Sequence, residues 1–172
     1  NDSEINTFLE VRHTKQTKDK VVNYINSLRK RTNCDMFAIF DVETNIHIGN
    51  LTITSFDTNS NGSIDFGIMI ADKTSRNVGI GAEVLISFID FIFSHDAIDR
   101  ISGGAASYNF KSCNTLESIG FIKEGVIRKI YPLEKDGKCD FVYYGLLKEE
   151  WNERRKKFNS LLTRTKILSS LK

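Results

Sequence analysis

Apolar and polar positions alternate along this chain with two different periods, and the two periods separate its helices from its strands. Over residues 17–30, Val21, Val22, Ile25 and Leu28 recur at the three-to-four-residue spacing of one helical face, behind Thr17 as a cap. Phe37–Val42 and Ile46–Phe56 read as two strands joined by the short loop Glu43-Thr44-Asn45. The polar run Asp57–Ser63 then turns the chain into a third strand, Ile64–Ile70. Residues 79–94 form the clearest helix. Glu83, Ser87, Asp90 and Ser94 make one polar stripe, and the remaining positions are so apolar that only this outer edge should meet water.

Further on, Arg100–Ser107 is strand-like and Phe110–Ile119 a short helix. Phe121–Tyr131 and Cys139–Leu147 pair across a loop whose Asp136-Gly137 is a turn signal. The order β-β-β-α-β-α-β-β predicts an α/β fold, a mixed sheet with helices on its faces. From Glu149 the residues Trp151, Phe158, Leu161, Leu162, Leu168 and Leu171 recur near helical spacing. They predict a basic C-terminal helix over 151–172, outside a domain that occupies 1–150.

Composition narrows the classes. The longest apolar stretches are broken by Glu83, Ser87 and Asp90, so none predicts a transmembrane segment. The 172 residues carry a net charge of +2, but residues 151–172 hold seven Lys/Arg against one acid. That leaves 17 basic and 21 acidic residues elsewhere, a body near −4 that does not resemble a nucleic-acid binder. The opposite charges predict that the tail packs on the body or on a second subunit, as in a homodimer. Three cysteines, far apart and odd in number, predict free thiols in a reducing cytoplasm. The three histidines are isolated too, so no metal site is expected. The chain starts at Asn1 in what reads as mid-domain, which predicts that a short N-terminal piece precedes it.

Candidate chemistry begins with Ser75-Arg76-Asn77-Val78-Gly79-Ile80-Gly81-Ala82, between a strand and the long helix. A helix N-terminus exposes unpaired N–H groups and a partial positive charge. Two glycines let an anion approach those donors, and Lys73 and Arg76 add full charges, so the segment predicts a phosphate site. It is neither a dinucleotide fingerprint, since Val84 stands where a third glycine is needed, nor a P-loop, since Gly-Lys-Ser/Thr is absent.

About thirty residues later come Asn109-Phe110-Lys111-Ser112, Leu116 and Gly120-Phe121. Arg76-x-x-Gly79-x-Gly81 followed by Asn109-x-x-Ser112 and Gly120-Phe121 resembles the GNAT superfamily of N-acetyltransferases. Glu124-Gly125, Arg128, Asp136-Gly137, Asp140 and Trp151 resemble the subgroup of ribosomal-protein N-terminal acetyltransferases, and the likeness spans residues 35–151. The resemblance implies a GNAT-like, mostly antiparallel sheet whose central strands splay, with acetyl-coenzyme A as co-substrate. The backbone of Val78, Gly79, Ile80, Gly81 and Ala82 would cradle the pyrophosphate. Gly67–Ile70, with Ile68, Met69 and Ile70 against the pantetheine, would part from Arg100–Ser107. Asn109 would bond that arm, and Ser112 would lie near the sulfur. Many relatives keep a tyrosine acid seven residues after the asparagine; here that position is Leu116. Ser112 is then the family-matched proton donor, directly or through water, or else a helix cap, with Tyr108 and Tyr131 in reserve.

The resemblance implies a primary amine on a small molecule as acceptor. Residues 1–13 with Gln16-Thr17, and His47-Ile48-Gly49-Asn50, resemble bacterial acetyltransferases of aminosugar and surface-polysaccharide pathways, which implies a sugar nucleotide. Arg12 could meet its phosphate, and Glu10, His13 and Asp65 are the candidate bases. An N-terminal protein or polyamine acetyltransferase is the alternative within the class, and a non-catalytic coenzyme-binding module the alternative outside it.

Overall fold

The computed structural model describes residue 7 and residues 14–57, 62–132, 137–158 and 165–169. A helix α1 (Lys18–Arg29) precedes strands β1 (Asp35–Asp41), β2 (His47–Asp57) and β3 (Ser63–Ile70). Helix α2 (Ile80–Phe93) connects β3 to β4 (Arg100–Ala106), and α3 (Phe110–Ile119) leads to β5 (Ile122–Pro132) and β6 (Lys138–Leu147). The chain continues through α4 (Lys148–Arg154), a 3₁₀ turn over Arg155–Phe158 and a last strand β7 (Thr165–Ser169). The seven strands form one sheet in the order β5-β6-β4-β3-β2-β1-β7. Each neighbouring pair is antiparallel except β3 and β4, which run parallel because α2 carries the chain back between them.

Strand alternation sorts the sheet into two faces. One carries Phe37, Ile39, Leu51, Ile53, Ile64, Phe66, Ile101, Val142, Tyr144 and Leu146, all buried in one cluster with α2, α3 and Trp151. Phe66 is central there, its ring 5.6 Å from that of Phe88 and 5.7 Å from that of Phe121. Burying each such side chain contributes about 1.5–3 kcal/mol. Trp151 locks α4 onto α2: its indole N–H donates to Asp90 Oδ1 at 2.9 Å, the Arg155 Nε–H donates to both Asp90 oxygens, and its ring stacks on Phe158.

Thr17 caps α1 by accepting from Lys20 N–H at 3.3 Å. The helix stands where the period places it, but of its apolar residues Leu28 alone is buried, and Val21, Val22 and Tyr24 are exposed. On α2 the polar stripe is not the exposed edge throughout. Glu83 is 3% exposed, whereas Phe91 is 50% exposed and turns its ring edge to Phe37 and His95.

The tail corrects the expectation of a helix over 151–172. Among the described residues of the C-terminal segment, helical structure covers 148–158, and Thr165–Ser169 is instead a strand that pairs antiparallel with β1, from Asp41 opposite Thr165 to Phe37 opposite Ser169. Without that strand β1 would present an unpaired edge, and Thr165 and Ile167 are β-branched at alternate positions. The last strand therefore completes the sheet of the domain. Asp136 lies outside the described residues.

Candidate functional site

The parallel ladder of β3 with β4 covers four rungs: Ser63 with Arg100, Ile64 with Ile101, Asp65 with Ser102, and Phe66 with Gly103. It then stops. Beyond Phe66, β3 stays paired with β2 through Ile68 opposite Leu51, Met69 opposite Asn50 and Ile70 opposite Gly49. On the far side, β4 stays paired with β6 through Gly104 opposite Tyr143 and Ala106 opposite Phe141. The two central strands part, and Gly67–Ile70 faces the gap without a ladder partner on that side, as the family resemblance implies.

The first unpaired rung is Gly67 and Gly104. Both lie on the sheet face opposite the core cluster, where a side chain would otherwise stand over the gap. A Cβ built on Gly67 has no atom within 4 Å. One on Gly104 would meet the Phe141 ring, with Cζ at 2.8 Å, and the Val142 carbonyl oxygen at 2.6 Å. Glycine in a strand marks such a close approach. In the sequence, Gly103-Gly104 inside a strand-like segment marks a close approach but does not name Gly67 as its partner.

The end of β3 leads to a loop fixed from three sides. Ala71 and Asp72 N–H both donate to the Ile48 carbonyl, at 2.7 and 3.1 Å. Asp72 Oδ2 accepts from the Thr74 hydroxyl at 2.5 Å, the Ser75 N–H at 2.8 Å and the Ser75 hydroxyl at 2.7 Å. Those bonds, the Thr74 hydroxyl first, hold the Asp72 carboxyl below the usual carboxylate range. Arg76 donates to the Ala71 carbonyl at 2.8 Å, so its guanidinium braces the loop. Lys73 and Val78 are exposed.

Asn77 and Gly79 then take positive φ, 63° and 86°, and Gly79 is the N-cap of α2 with no side-chain cap bond. The first bond of the helix runs from Glu83 N–H to the Gly79 carbonyl at 3.1 Å, so the amides of Ile80, Gly81 and Ala82 precede it. A Cβ on Gly81 has no atom within 4 Å. A helix N-terminus free of a capping side chain and open at its second residue accommodates an anion.

On α3, Asn109 is the cap: its Oδ1 accepts from Ser112 N–H at 3.2 Å. Ser112 sits in the first turn, half-buried, and is not the cap. Leu116 faces inward at 3% exposure, within the main core. Tyr108 and Phe110 are exposed and touch edge to face, while Tyr131 is half-buried and stacks on Phe141.

Of the three candidate bases, Glu10 and His13 lie outside the described residues, as does Arg12. Asp65 is one rung from the end of the parallel ladder, on the same face as Gly67 and Gly104. It is half-buried, and desolvation raises its carboxyl above the usual carboxylate range. Among the described residues no three His, Cys, Asp or Glu gather as a metal site would require. Cys34, Cys113 and Cys139 are free thiols, and no described helix is long and apolar enough to cross a membrane.

Residues 1–122 match the family model described as acetyltransferase (GNAT) domain. The chain is 28% identical over 118 residues to an SPbeta prophage-derived uncharacterized N-acetyltransferase, YokL, of Bacillus subtilis (strain 168), covering 68% of this chain and 65% of that protein. It thus spans just under two thirds of that relative's length. An uncharacterized N-acetyltransferase, p20, of Bacillus licheniformis is 28% identical over 136 residues, 79% of this chain and 74% of the relative. The crystal structure of spermidine N-acetyltransferase from Vibrio cholerae in complex with CoA and spermine has the same fold. It superposes with a TM-score of 0.77 at 17% identity, over 88% of this chain and 87% of that one.

Proposed function

Since this chain belongs to the GNAT acetyltransferase domain family, we propose that it moves the acetyl group of acetyl-coenzyme A to a primary amine on a small molecule, an aminosugar carried on a nucleotide. The observation that carries the reading is the parting of β3 and β4 at Phe66 and Gly103, beside an uncapped helix N-terminus. A flat extended chain fits the gap as an added strand, with backbone partners from Ile68, Met69 and Ile70. A pyrophosphate fits the amides of Val78 to Ala82, and Gly81 leaves it room.

In the reaction the amine nitrogen attacks the thioester carbonyl carbon, the carbon–sulfur bond breaks, and the thiolate leaves. The proton lost by the amine passes to Asp65 and on to solvent, and the Ser112 hydroxyl relays a proton from solvent to the thiolate, so that both groups return to their starting states. An alkylamine has a pKa near 10.4 and an α-amino group one near 8, so a base above the ordinary carboxylate range takes the proton with a smaller mismatch. Orientation in the gap and backbone donors at the oxyanion supply the rest.

The sugar reading rests on Asn50 and Thr52, which alternate onto the same face as Asp65, with His47 Nε2 3.1 Å from Asn50 Oδ1. These are hydroxyl-binding groups. A polycation would call for several unpaired carboxylates beside the gap; on this face of the described strands Asp65 stands at the gap, and Glu124, over Gly145 on the same rung, is paired with Arg100. By its motifs the chain stands with the ribosomal-protein N-acetyltransferase subgroup.

Thiol release with nucleotide-linked aminosugars, spermidine and short peptides tests the proposal, with saturable turnover expected on an aminosugar. Turnover on spermidine or peptide alone would replace the sugar reading, and coenzyme binding with no turnover would make the chain a binding module. Asp65→Asn is expected to lower kcat/KM about a hundredfold. It should also abolish the acidic limb of the pH profile, which otherwise lies above the usual carboxylate range. A limb that survives the substitution assigns the base elsewhere.

A further inference from the structure

We propose that Tyr131, Phe141 and Tyr143 form an aromatic wall beside the gap that binds the apolar face of a pyranose carrying the amine, and so selects ring-shaped over linear acceptors. The proposal rests on the acetyl-transfer reading above and names the acceptor class of that same site.

The register places the wall. Cys139, Phe141 and Tyr143 alternate onto the face of β6 that carries Gly104 on β4, and Tyr131, opposite Cys139, shares it from β5. The three rings brace one another. Tyr131 stacks on Phe141 at 5.6 Å and 23°, and Phe141 meets Tyr143 edge to face at 5.1 Å and 68°. Along its own rung Tyr143 stands between Gly125 and Gly104, so neither cross-strand neighbour has a side chain to cover it. Nothing lies within 4 Å of a Cβ built on Gly125. On the other side, a Cβ on Gly104 would strike Phe141, so that ring leans over β4 toward the parting strands. Tyr143 is 37% exposed, a large aromatic surface left partly in water next to the reacting position.

Across the gap the same face carries the polar Asn50, Thr52 and Asp65 on β2 and β3, with Met69 opposite Asn50. An acceptor lying between the two sides needs an apolar face toward the rings and a hydroxylated edge toward the amide, hydroxyl and carboxylate. A pyranose chair has both: axial C–H bonds on one face and hydroxyls around the rim. Aromatic rings attract such C–H groups through their negative faces. The carboxylate nearest the wall on that face, Glu124 over Gly145, is already held by Arg100 through two bonds, so a linear polyammonium chain would have to compete with the guanidinium for it.

Steady-state acetylation of glucosamine, UDP-glucosamine and the linear amine cadaverine by wild type, Tyr143→Ala, Phe141→Ala and Tyr143→Phe tests the wall. Acetyl-coenzyme A affinity is measured by calorimetry on each, and folding by circular dichroism. Tyr143→Ala should raise KM for the aminosugars about tenfold, the effect of one lost ring contact, with kcat changed much less. Phe141→Ala should do the same. Tyr143→Phe should keep wild-type KM, and the preference for aminosugar over cadaverine should shrink in both alanine variants. Unchanged KM at normal acetyl-coenzyme A affinity, or an equal loss for ring and linear amines, would each overturn the wall alone, whereas wild-type turnover of cadaverine without the aminosugars would overturn the wall together with the sugar reading. Failure of the wild type to bind acetyl-coenzyme A would sink the acetyl-transfer reading beneath it.

Discussion

The two halves of the β3–β4 pair belong to the same strands, yet one is closed sheet and the other an open gap. In the closed half, Phe66 fills the space that Gly103 leaves, since a Cβ on Gly103 would come within 2.8 Å of its ring. Below it Arg100 holds Glu124 through two parallel bonds, 2.8 and 2.5 Å, across Gly145, tying β4 to β5. In the open half Gly67 and Gly104 put no side chain on the far face, and the strands answer to different neighbours, β2 on one side and β6 on the other. The comparison teaches that the gap is not a weak piece of sheet. Its walls are each fully laddered elsewhere, so it persists without a ligand to prop it open.

Breaking the closed half should have the largest effect. Phe66→Ala removes the ring packed on Phe88 and Phe121 and is expected to cost about 3–5 kcal/mol of stability. Urea unfolding reads this directly. A loss below about 1 kcal/mol would mean that the rung above the gap is not held by that ring. Next comes the open half's entrance. Gly81→Arg places a long side chain in the open space over the α2 N-terminus, so acetyl-coenzyme A affinity should fall more than about a hundredfold, roughly 2.7 kcal/mol, at unchanged far-ultraviolet circular dichroism. Wild-type affinity in calorimetry would remove that helix end from the binding site.

How much of this contrast the sequence carried depends on the range of the information. The glycines at the start of α2 and the Thr17 cap are local signals, and each is found where the spacing puts it; on α3 the cap is Asn109 and not Ser112. Burial is not local. Val21 and Val22 have the spacing of a buried face and stand in water at 45% and 44% exposure, because periodicity names the apolar face and not what covers it. Glu83 fails in the opposite sense, polar by type yet buried. The tail failed through period: Leu161, Leu162, Leu168 and Leu171 suggested a helix, while Thr165 and Ile167, the β-branched residues that pair with β1, interrupted it. The apex at Gly67 and Gly104, and Tyr143 beside it, depend on register between strands far apart in the chain, which no local spacing encodes.

A milder test asks whether α3 presents Ser112 or Leu116 to the gap. Leu116 is packed in the core at 3% exposure, so Leu116→Tyr overfills it and should cost about 1–3 kcal/mol without gain in turnover. Ser112→Ala should keep stability and lower kcat about a hundredfold, the low end of a lost proton donor. If Leu116→Tyr is neutral and faster instead, the helix turns that position toward the gap.

The smallest effect belongs to Asp72, which holds the loop between the open strand and the α2 N-terminus. Its carboxylate accepts from the Thr74 hydroxyl and from both the hydroxyl and the N–H of Ser75, and these bonds keep its carboxyl below the usual range. The folded loop thus favours the anion. Its contribution is present above the ordinary carboxylate pKa and is lost as pH falls through the depressed value. Asp72→Ala should weaken acetyl-coenzyme A binding roughly two- to tenfold through a less ordered loop, as expected for a few lost hydrogen bonds. The thermal midpoint should hardly move, because the carboxylate is exposed. Asp72→Asn keeps one oxygen acceptor and should fall between alanine and wild type, without the acid sensitivity. Binding measured from neutral pH down through the carboxylate range separates the two roles: wild type should lose affinity toward the acid end while Asp72→Asn stays level over that interval. Parallel curves for the two proteins would show that the loop is set by the Ile48 carbonyl and Arg76 alone.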